Sequence, residues 1–140
     1  MVTQRPGAGA AGGVGFALVA VLGAQRRSGI DVVLDLVGLD DALTGAALVV
    51  TGEGSLDAQT LTGKAVSGVA RHAAAQGIPV VSVCGRLTLD EGGLAALGVH
   101  TAYPLSDLEP DVERSVAQAP ALLRRTGQRI AREWLSRAPA

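Results

Sequence analysis

The chain contains three short apolar runs, which alternate with longer amphipathic segments. The runs extend from Ala46 to Thr51, from Ile78 to Cys84 and from Val99 to Tyr103, and they are rich in small and β-branched residues. Continuous apolar runs of this length are typical of strands that are buried on both faces, as in a parallel sheet. The pattern therefore predicts three parallel strands.

Amphipathic segments follow these runs. A helix is predicted from Lys64 to Gln76, where Gly77 suits the position after a helix end, and a shorter helix is predicted from Asp90 to Leu97. The tail from Pro110 to Arg137 is predicted to be mostly helical. The order strand, helix, strand, helix, strand predicts a Rossmann-like α/β unit, in which helices cover both faces of a parallel sheet in three α/β/α layers.

The first 45 residues give a weaker pattern. The run Phe16 to Ala24 has the Ala and Leu content of a buried helix. From Ile30 to Leu43 the apolar residues follow helical spacing, and Asp31 lies near the start, where the helix dipole favours an anion. Gly38 interrupts this second helix. A strand from Val32 to Leu36 is the alternative, because β-branched residues are dense there.

The tail also carries most of the clustered positive charge. Its apolar stripe is predicted to face the core, while the arginines lie largely off that stripe on a face that we expect to be solvated. The stripe consists of Leu123, Gly127, Ile130 and Trp134, and the arginines are Arg124, Arg125, Arg129 and Arg132.

Composition excludes several classes of function. A net charge of -1 and a single Phe, Tyr and Trp offer neither a basic face nor a stacking platform, so nucleic-acid binding is not expected. The single cysteine, Cys84, excludes an internal disulfide and is expected to be buried.

The apolar stretch Val14 to Ala24 is too short to span a membrane. It imitates a secretory signal behind Arg5, although we expect a cytoplasmic protein.

The connection between the first strand and its helix carries the candidate chemistry. It runs from Thr51 to Lys64 and is longer than such connections usually are. Glu53 and Asp57 could hold Mg²⁺ or accept a proton from a substrate hydroxyl, and Lys64 supplies a positive charge at a helix start, where phosphate also meets free N–H groups. The alternative is that both carboxylates bind loop amides and that residues 57–62 cap the helix.

Two known nucleotide-binding patterns do not fit. The P-loop pattern fails because Ala58 replaces its first glycine and Ala65 replaces the hydroxyl residue that binds magnesium. The opening run from Gly7 to Gly12 matches the dinucleotide pattern G-x-G-x-x-G, but only six residues precede it and a strand is required there. This opening is therefore either an anion-binding loop before a helix or a closely packed turn.

Three stretches taken together resemble one family. They are residues Pro6 to Gly13, Gly29 to Asp35 and Thr51 to Lys64, in this order and spacing. They are similar to the glycerate kinases of the first bacterial type. The resemblance implies transfer of the γ-phosphoryl group of ATP, with Mg²⁺, to a hydroxyl of D-glycerate, on a protein whose two α/β domains enclose a cleft.

The resemblance also implies where a site would lie. By this resemblance, Gly7 to Gly13 and Glu53 to Lys64 would line the cleft. Their chemistry, rather than the resemblance, suggests Glu53, Asp57 and Lys64 as the catalytic residues, with Glu53 or Asp57 orienting the hydroxyl, Asp57 as the Mg²⁺ ligand and Lys64 contacting phosphate. The expected contacts to substrate or phosphate are Gly7, Gly9, Gly12, Gly13, Gly52, Gly54, Ser55, Gln59 and Thr60.

Members of that family are well over twice as long as this chain. Residues 1–140 are therefore expected to form a single α/β unit that matches the C-terminal portion and is incomplete relative to the two-domain enzymes, and residues 1–28 would belong to the second domain. A homo-oligomer or a complementing chain would then complete the cleft. The alternative is a non-catalytic α/β module that retains an anion- or nucleotide-binding loop.

Overall fold

One open sheet of three parallel strands organises the molecule. The computed structural model describes residues 4–136, and its strands are β1 (Val49–Leu56), β2 (Val80–Leu87) and β3 (Thr101–Pro104), in the order β1-β2-β3. Both neighbouring pairs are parallel. The three predicted strands are confirmed, and each lies somewhat nearer to the C-terminus than its apolar run.

Helices follow each strand and cover both faces of the sheet. The described α-helices are α1 (Val14–Val21), α2 (Gly29–Leu36), α3 (Leu39–Leu43), α4 (Ala65–Ala75), α5 (Glu91–Leu97), α6 (Val112–Ala117) and α7 (Ala119–Ile130). Three short 3-10 helices span Ala10–Gly13, Thr60–Thr62 and Leu105–Asp107, and a π-helical turn, Ala131–Leu135, continues α7. The predicted helix from Ile30 is confirmed over the alternative strand, and Gly38, at φ +67°, divides it into α2 and α3.

The core has one part on each face of the sheet. On one face, Leu56 of β1 packs with Val66 and Ala70 of α4, and these three side chains are fully buried. On the other face, Val81 and Tyr103 pack against Ile130 of α7. Helices on both sides of a parallel sheet confirm the three-layer α/β unit.

The terminal helix buries the second half of the predicted stripe, where Ile130 is buried and Trp134 packs against its cluster, but differs from the prediction in the first half. The side chains of Leu122, Thr126 and Ile130 are buried, whereas Leu123 is 49% exposed. These three buried residues are four positions apart, so they lie on one helix face. The prediction was right for Ile130 and wrong for Leu123, because the buried face passes through Thr126, a polar residue that a pattern of apolar residues does not include.

Helix α1 is apolar but is not buried by the described part of the chain. It ends at Val21, three residues earlier than predicted, and its main contacts are with the 3-10 helix before it. Val14 and Val21 are 55% and 78% exposed. Within residues 4–136, none of the helices combines the length and the apolar character that crossing a bilayer requires.

Cys84 lies in the core, as predicted. Its side chain, on β2, is almost fully buried in the same core cluster as Leu56 and Val66. Removal from water disfavours the thiolate and raises the pKa of the Cys84 thiol to about 11. At neutral pH this residue is therefore a small buried thiol.

Candidate functional site

Strand β1 runs into the segment that the sequence presents as a loop. The connection expected from Thr51 to Lys64 is a strand in its first part, because β1 continues to Leu56. A Cβ atom at Gly52 would lie 2.3 Å from the carbonyl oxygen of Val83 on the neighbouring strand. The glycine therefore permits a close approach of β1 and β2 that another residue would prevent.

Glu53 is held at one orientation by a buried hydroxyl. Glu53 lies opposite Cys84 in the pairing of β1 with β2, and the Glu53 side chain is 17% exposed. The fully buried Thr60 donates its hydroxyl to Oε1 of Glu53 and accepts the backbone N–H of Asp57 at 3.2 Å. Thr60 was expected among the substrate contacts. Its hydroxyl is occupied within the protein, where it fixes the Glu53 carboxylate.

Asp57 begins the turn that leads from β1 to α4. Its Oδ1 accepts the backbone N–H of Gln59 at 2.8 Å, which is the local bond that aspartate commonly makes in turns. The Asp57 side chain is 33% exposed. One carboxylate oxygen thus accepts a hydrogen bond from a loop amide, which is the alternative role that the sequence also suggested for this residue. Because the side chain is partly exposed, its negative charge remains accessible at the surface.

Lys64 brings the three predicted catalytic residues together. It occupies the N-cap position of α4, and its Nζ lies 3.9 Å from Oε2 of Glu53 and 3.8 Å from Oδ1 of Asp57. Its side chain is 38% exposed. The three charged groups therefore form one cluster at the end of the sheet where β1 leads into α4, the edge at which open α/β sheets bind ligands.

The donor set of this cluster is compatible with magnesium. Among residues 4–136 no group of three or more side chains of His, Cys, Asp or Glu is arranged to hold a metal. Mg²⁺ usually binds one or two carboxylates and completes its shell with water and substrate phosphates. The two carboxylates of Glu53 and Asp57 match that requirement, and Lys64 already places a positive charge between them.

The remaining predicted contacts fall into two groups. Gly52, Gly54 and Ser55 lie on β1 beside the cluster, and Gln59 lies in the turn after Asp57. The other four precede α1 at the N-terminus, and their segment contacts chiefly α1. These four are Gly7, Gly9, Gly12 and Gly13, of which Gly7, Gly12 and Gly13 have positive φ.

Comparisons with a family model and with known sequences agree on one family. A family model described as "Glycerate kinase family" matches residues 1–135. Glycerate kinase of Bacillus cereus is 37% identical over 133 residues, which are 95% of this chain and 35% of the relative. Glycerate 2-kinase of Escherichia coli is 43% identical over 102 residues, which are 73% of this chain and 27% of the relative.

A solved structure agrees with the sequence matches. The crystal structure assigned to glycerate kinase 2 of Salmonella typhimurium LT2 superposes with a TM-score of 0.52 at 37% identity, over 88% of this chain and 34% of that one. The chain therefore spans about a third of the length of the relatives that it matches. The match of the family model over nearly all residues shows that this chain belongs to the glycerate kinase family.

Proposed function

We propose that the cluster of Glu53, Asp57 and Lys64 serves the transfer of the γ-phosphoryl group of ATP to a hydroxyl of D-glycerate. The observation that carries this proposal is the convergence of the three side chains, with Lys64 Nζ within 3.9 Å of both carboxylates. Phosphoryl transfer needs little covalent chemistry from the protein, and depends on positioning and on charge stabilisation. A lysine between two carboxylates at the edge of a parallel sheet can supply both.

Lys64 is proposed to contact the transferred phosphate. Lys64 is the N-cap residue of α4, and at this end of the helix the first backbone N–H groups have no partner within the helix and the helix dipole is positive. An oxygen of the phosphate that approached this point would meet the ammonium group and the helix start together. The developing charge would thereby be stabilised from two sides.

The two carboxylates are proposed to have different roles. Asp57 is about twice as exposed as Glu53, at 33% against 17%, so we assign the Mg²⁺ ligand to Asp57. The ion would neutralise charge on the phosphates of ATP. Glu53, which Thr60 holds in one orientation, would accept the proton of the glycerate hydroxyl.

The chain is proposed to supply one wall of the reaction cleft. Transfer requires groups on several sides of the phosphate and the exclusion of water, and this chain spans about a third of its relatives. The opposite wall would come from outside residues 1–140, and a homo-oligomer or a complementing chain is one way to supply it.

The proposal is tested by transfer of radiolabelled phosphate from ATP to D-glycerate, with binding of MgATP measured on the same protein. Lys64→Ala should abolish transfer and weaken MgATP binding. Arg71→Ala is the matched control, because Arg71 is 59% exposed and pairs with Asp31 away from the cluster. MgATP binding that depends on Lys64 without transfer would support the non-catalytic module instead. MgATP binding that is equal in both variants would contradict the proposed site.

A further inference from the structure

A concavity lies between α7 and the 3-10 helix that follows β3. It has a volume of about 220 Å³, and its wall includes Tyr103, Asp107, Arg125, Arg129 and Arg132. Tyr103 and the residue after it end β3, so the cavity opens at the carboxyl end of a parallel strand, where α/β sheets bind ligands. The sequence alone suggested only a solvated basic face here.

The three arginines form an unusual concentration of positive charge. They are spaced by four and three residues, so they lie on one face of the terminal helix. Residues 115–132 contain no acidic residue, although the whole chain has a net charge of -1. Like charges at this spacing repel each other and destabilise a helix. Among the described residues, only Arg129 of the three has a carboxylate partner, which is Glu133, so the repulsion is offset in part. An anion bound among the three guanidinium groups would relieve the repulsion.

One of the three arginines is fixed in place by its neighbours. The Nε of Arg129 donates to Oε1 of Glu133 at 2.7 Å, and its guanidinium carbon lies 5.2 Å from the centre of the Tyr103 ring. The Tyr103 hydroxyl donates to the other Glu133 oxygen at 2.6 Å and accepts the indole N–H of Trp134 at 2.9 Å. This network holds Arg129 against the cavity before any ligand arrives.

The other two arginines keep their charge available. Within residues 4–136, neither Arg125 nor Arg132 forms an ion pair with a carboxylate. Three guanidinium groups and the carboxylate of Asp107 line the cavity. Glu133 pairs with Arg129, so three positive charges less the two carboxylates leave a local formal charge of +1. The two guanidinium groups of Arg125 and Arg132, which no carboxylate pairs with among the described residues, are the groups that a small anion would contact. Guanidinium groups bind phosphate oxygens through paired hydrogen bonds.

We propose that this cavity binds a phosphate dianion, either inorganic phosphate or the phosphate group of a small monoester. Arg125 and Arg132 would bind the ligand directly, and Arg129 would support it from a fixed position. The site lies at the same sheet edge as the Glu53, Asp57 and Lys64 cluster, but it shares none of those residues. It does not depend on the proposed kinase function.

The test is titration of the purified chain with inorganic phosphate and with glycerol phosphate, by calorimetry at constant ionic strength kept with sodium chloride. The two ligands distinguish free phosphate from a monoester. The double variant Arg125→Gln/Arg132→Gln should bind at least about ten-fold more weakly, since each charged hydrogen bond lost is worth about that factor. Arg124→Gln is the matched control, because Arg124 is adjacent on the same helix, lies off the cavity and donates to the Pro120 carbonyl.

A further variant gives an effect of opposite sign. Asp107→Asn removes the one carboxylate from the wall and should tighten phosphate binding. The proposal is overturned if Arg124→Gln weakens binding as much as the double variant, if Lys64→Ala alone abolishes it, or if no heat of phosphate binding above the chloride background is detected. Circular dichroism spectra of all variants establish that each remains folded.

Discussion

The buried hydroxyl of Thr60 is the clearest point at which the site and the stability of the fold depend on one group. Thr60→Val keeps the shape of the side chain and removes the hydroxyl. The substitution therefore leaves Oε1 of Glu53 without its donor and the backbone N–H of Asp57 without its acceptor. We expect the variant to be less stable and the Glu53 carboxylate to lose its fixed orientation.

The size of the effect follows from these two bonds. A hydrogen bond to a charged group contributes about 1.5 to 3 kcal/mol, and a buried N–H left without a partner costs about 1 to 3 kcal/mol. The two losses share one hydroxyl, and Glu53 is partly exposed, so they will not add fully. We expect a loss of about 2 to 4 kcal/mol, out of a total stability of about 5 to 15 kcal/mol.

Urea unfolding of Thr60→Val, Thr60→Ser and the unchanged chain measures this effect. Thr60→Ser keeps the hydroxyl and loses only a methyl group, so it should cost about 1 kcal/mol. The difference between the two variants isolates the hydroxyl. If Thr60→Val unfolds at the same urea concentration as Thr60→Ser, or at a higher one, the assignment of Thr60 as the group that fixes Glu53 is wrong.

Three further predictions follow from the strands and the terminal helix. Gly52→Ala should lower the free energy of unfolding by about 3 kcal/mol in a urea titration, because the new Cβ meets the Val83 carbonyl. Gly54→Ala is the control, because a Cβ at Gly54 would lie in open space. Ser82→Ala should raise the stability by about 1 kcal/mol, because the fully buried Ser82 Oγ has no partner among the described residues; an unchanged or lower urea midpoint would contradict this. The Tyr103 hydroxyl and then Arg129 lower the folded-state pKa of Glu133 below its usual 4.5, so its contribution to stability is present above that pH and is lost as the pH falls through the lowered pKa. Glu133→Gln should therefore flatten the acid side of the stability curve, and an unchanged acid side would refute the contact.

The three strands could be predicted because short runs of β-branched apolar residues favour strands whose sheet is covered by helices on both faces. The prediction failed at the end of β1, where Gly-Glu-Gly-Ser has the composition of a loop. The strand continues there because Gly52 brings its backbone close to Val83, and Gly85 approaches the carbonyl oxygen of Gly54 in the same way. Close approach between two strands depends on a pair of distant residues, which a local pattern does not contain.

The candidate site could be predicted in part for a similar reason. Glu53, Asp57 and Lys64 lie on one connection, so their spacing alone suggested that they meet. The burial of Thr60 depends on how the turn packs under α4, and the Asp-x-x-Thr spacing of a capped turn was the only local sign of it. The arginine-lined cavity was missed because its other wall, at Asp107, lies far from α7 in sequence.

Binding of Mn²⁺·ATP, followed by the paramagnetic broadening of backbone amide signals, tests the central claim most directly. If the cluster binds the nucleotide and its metal, the signals of residues 53–64 should broaden first, and Asp57→Asn should remove the effect. Broadening that is confined to residues 125–132, or that is uniform over the chain and unchanged in Asp57→Asn, would contradict the assignment of phosphoryl transfer to Glu53, Asp57 and Lys64.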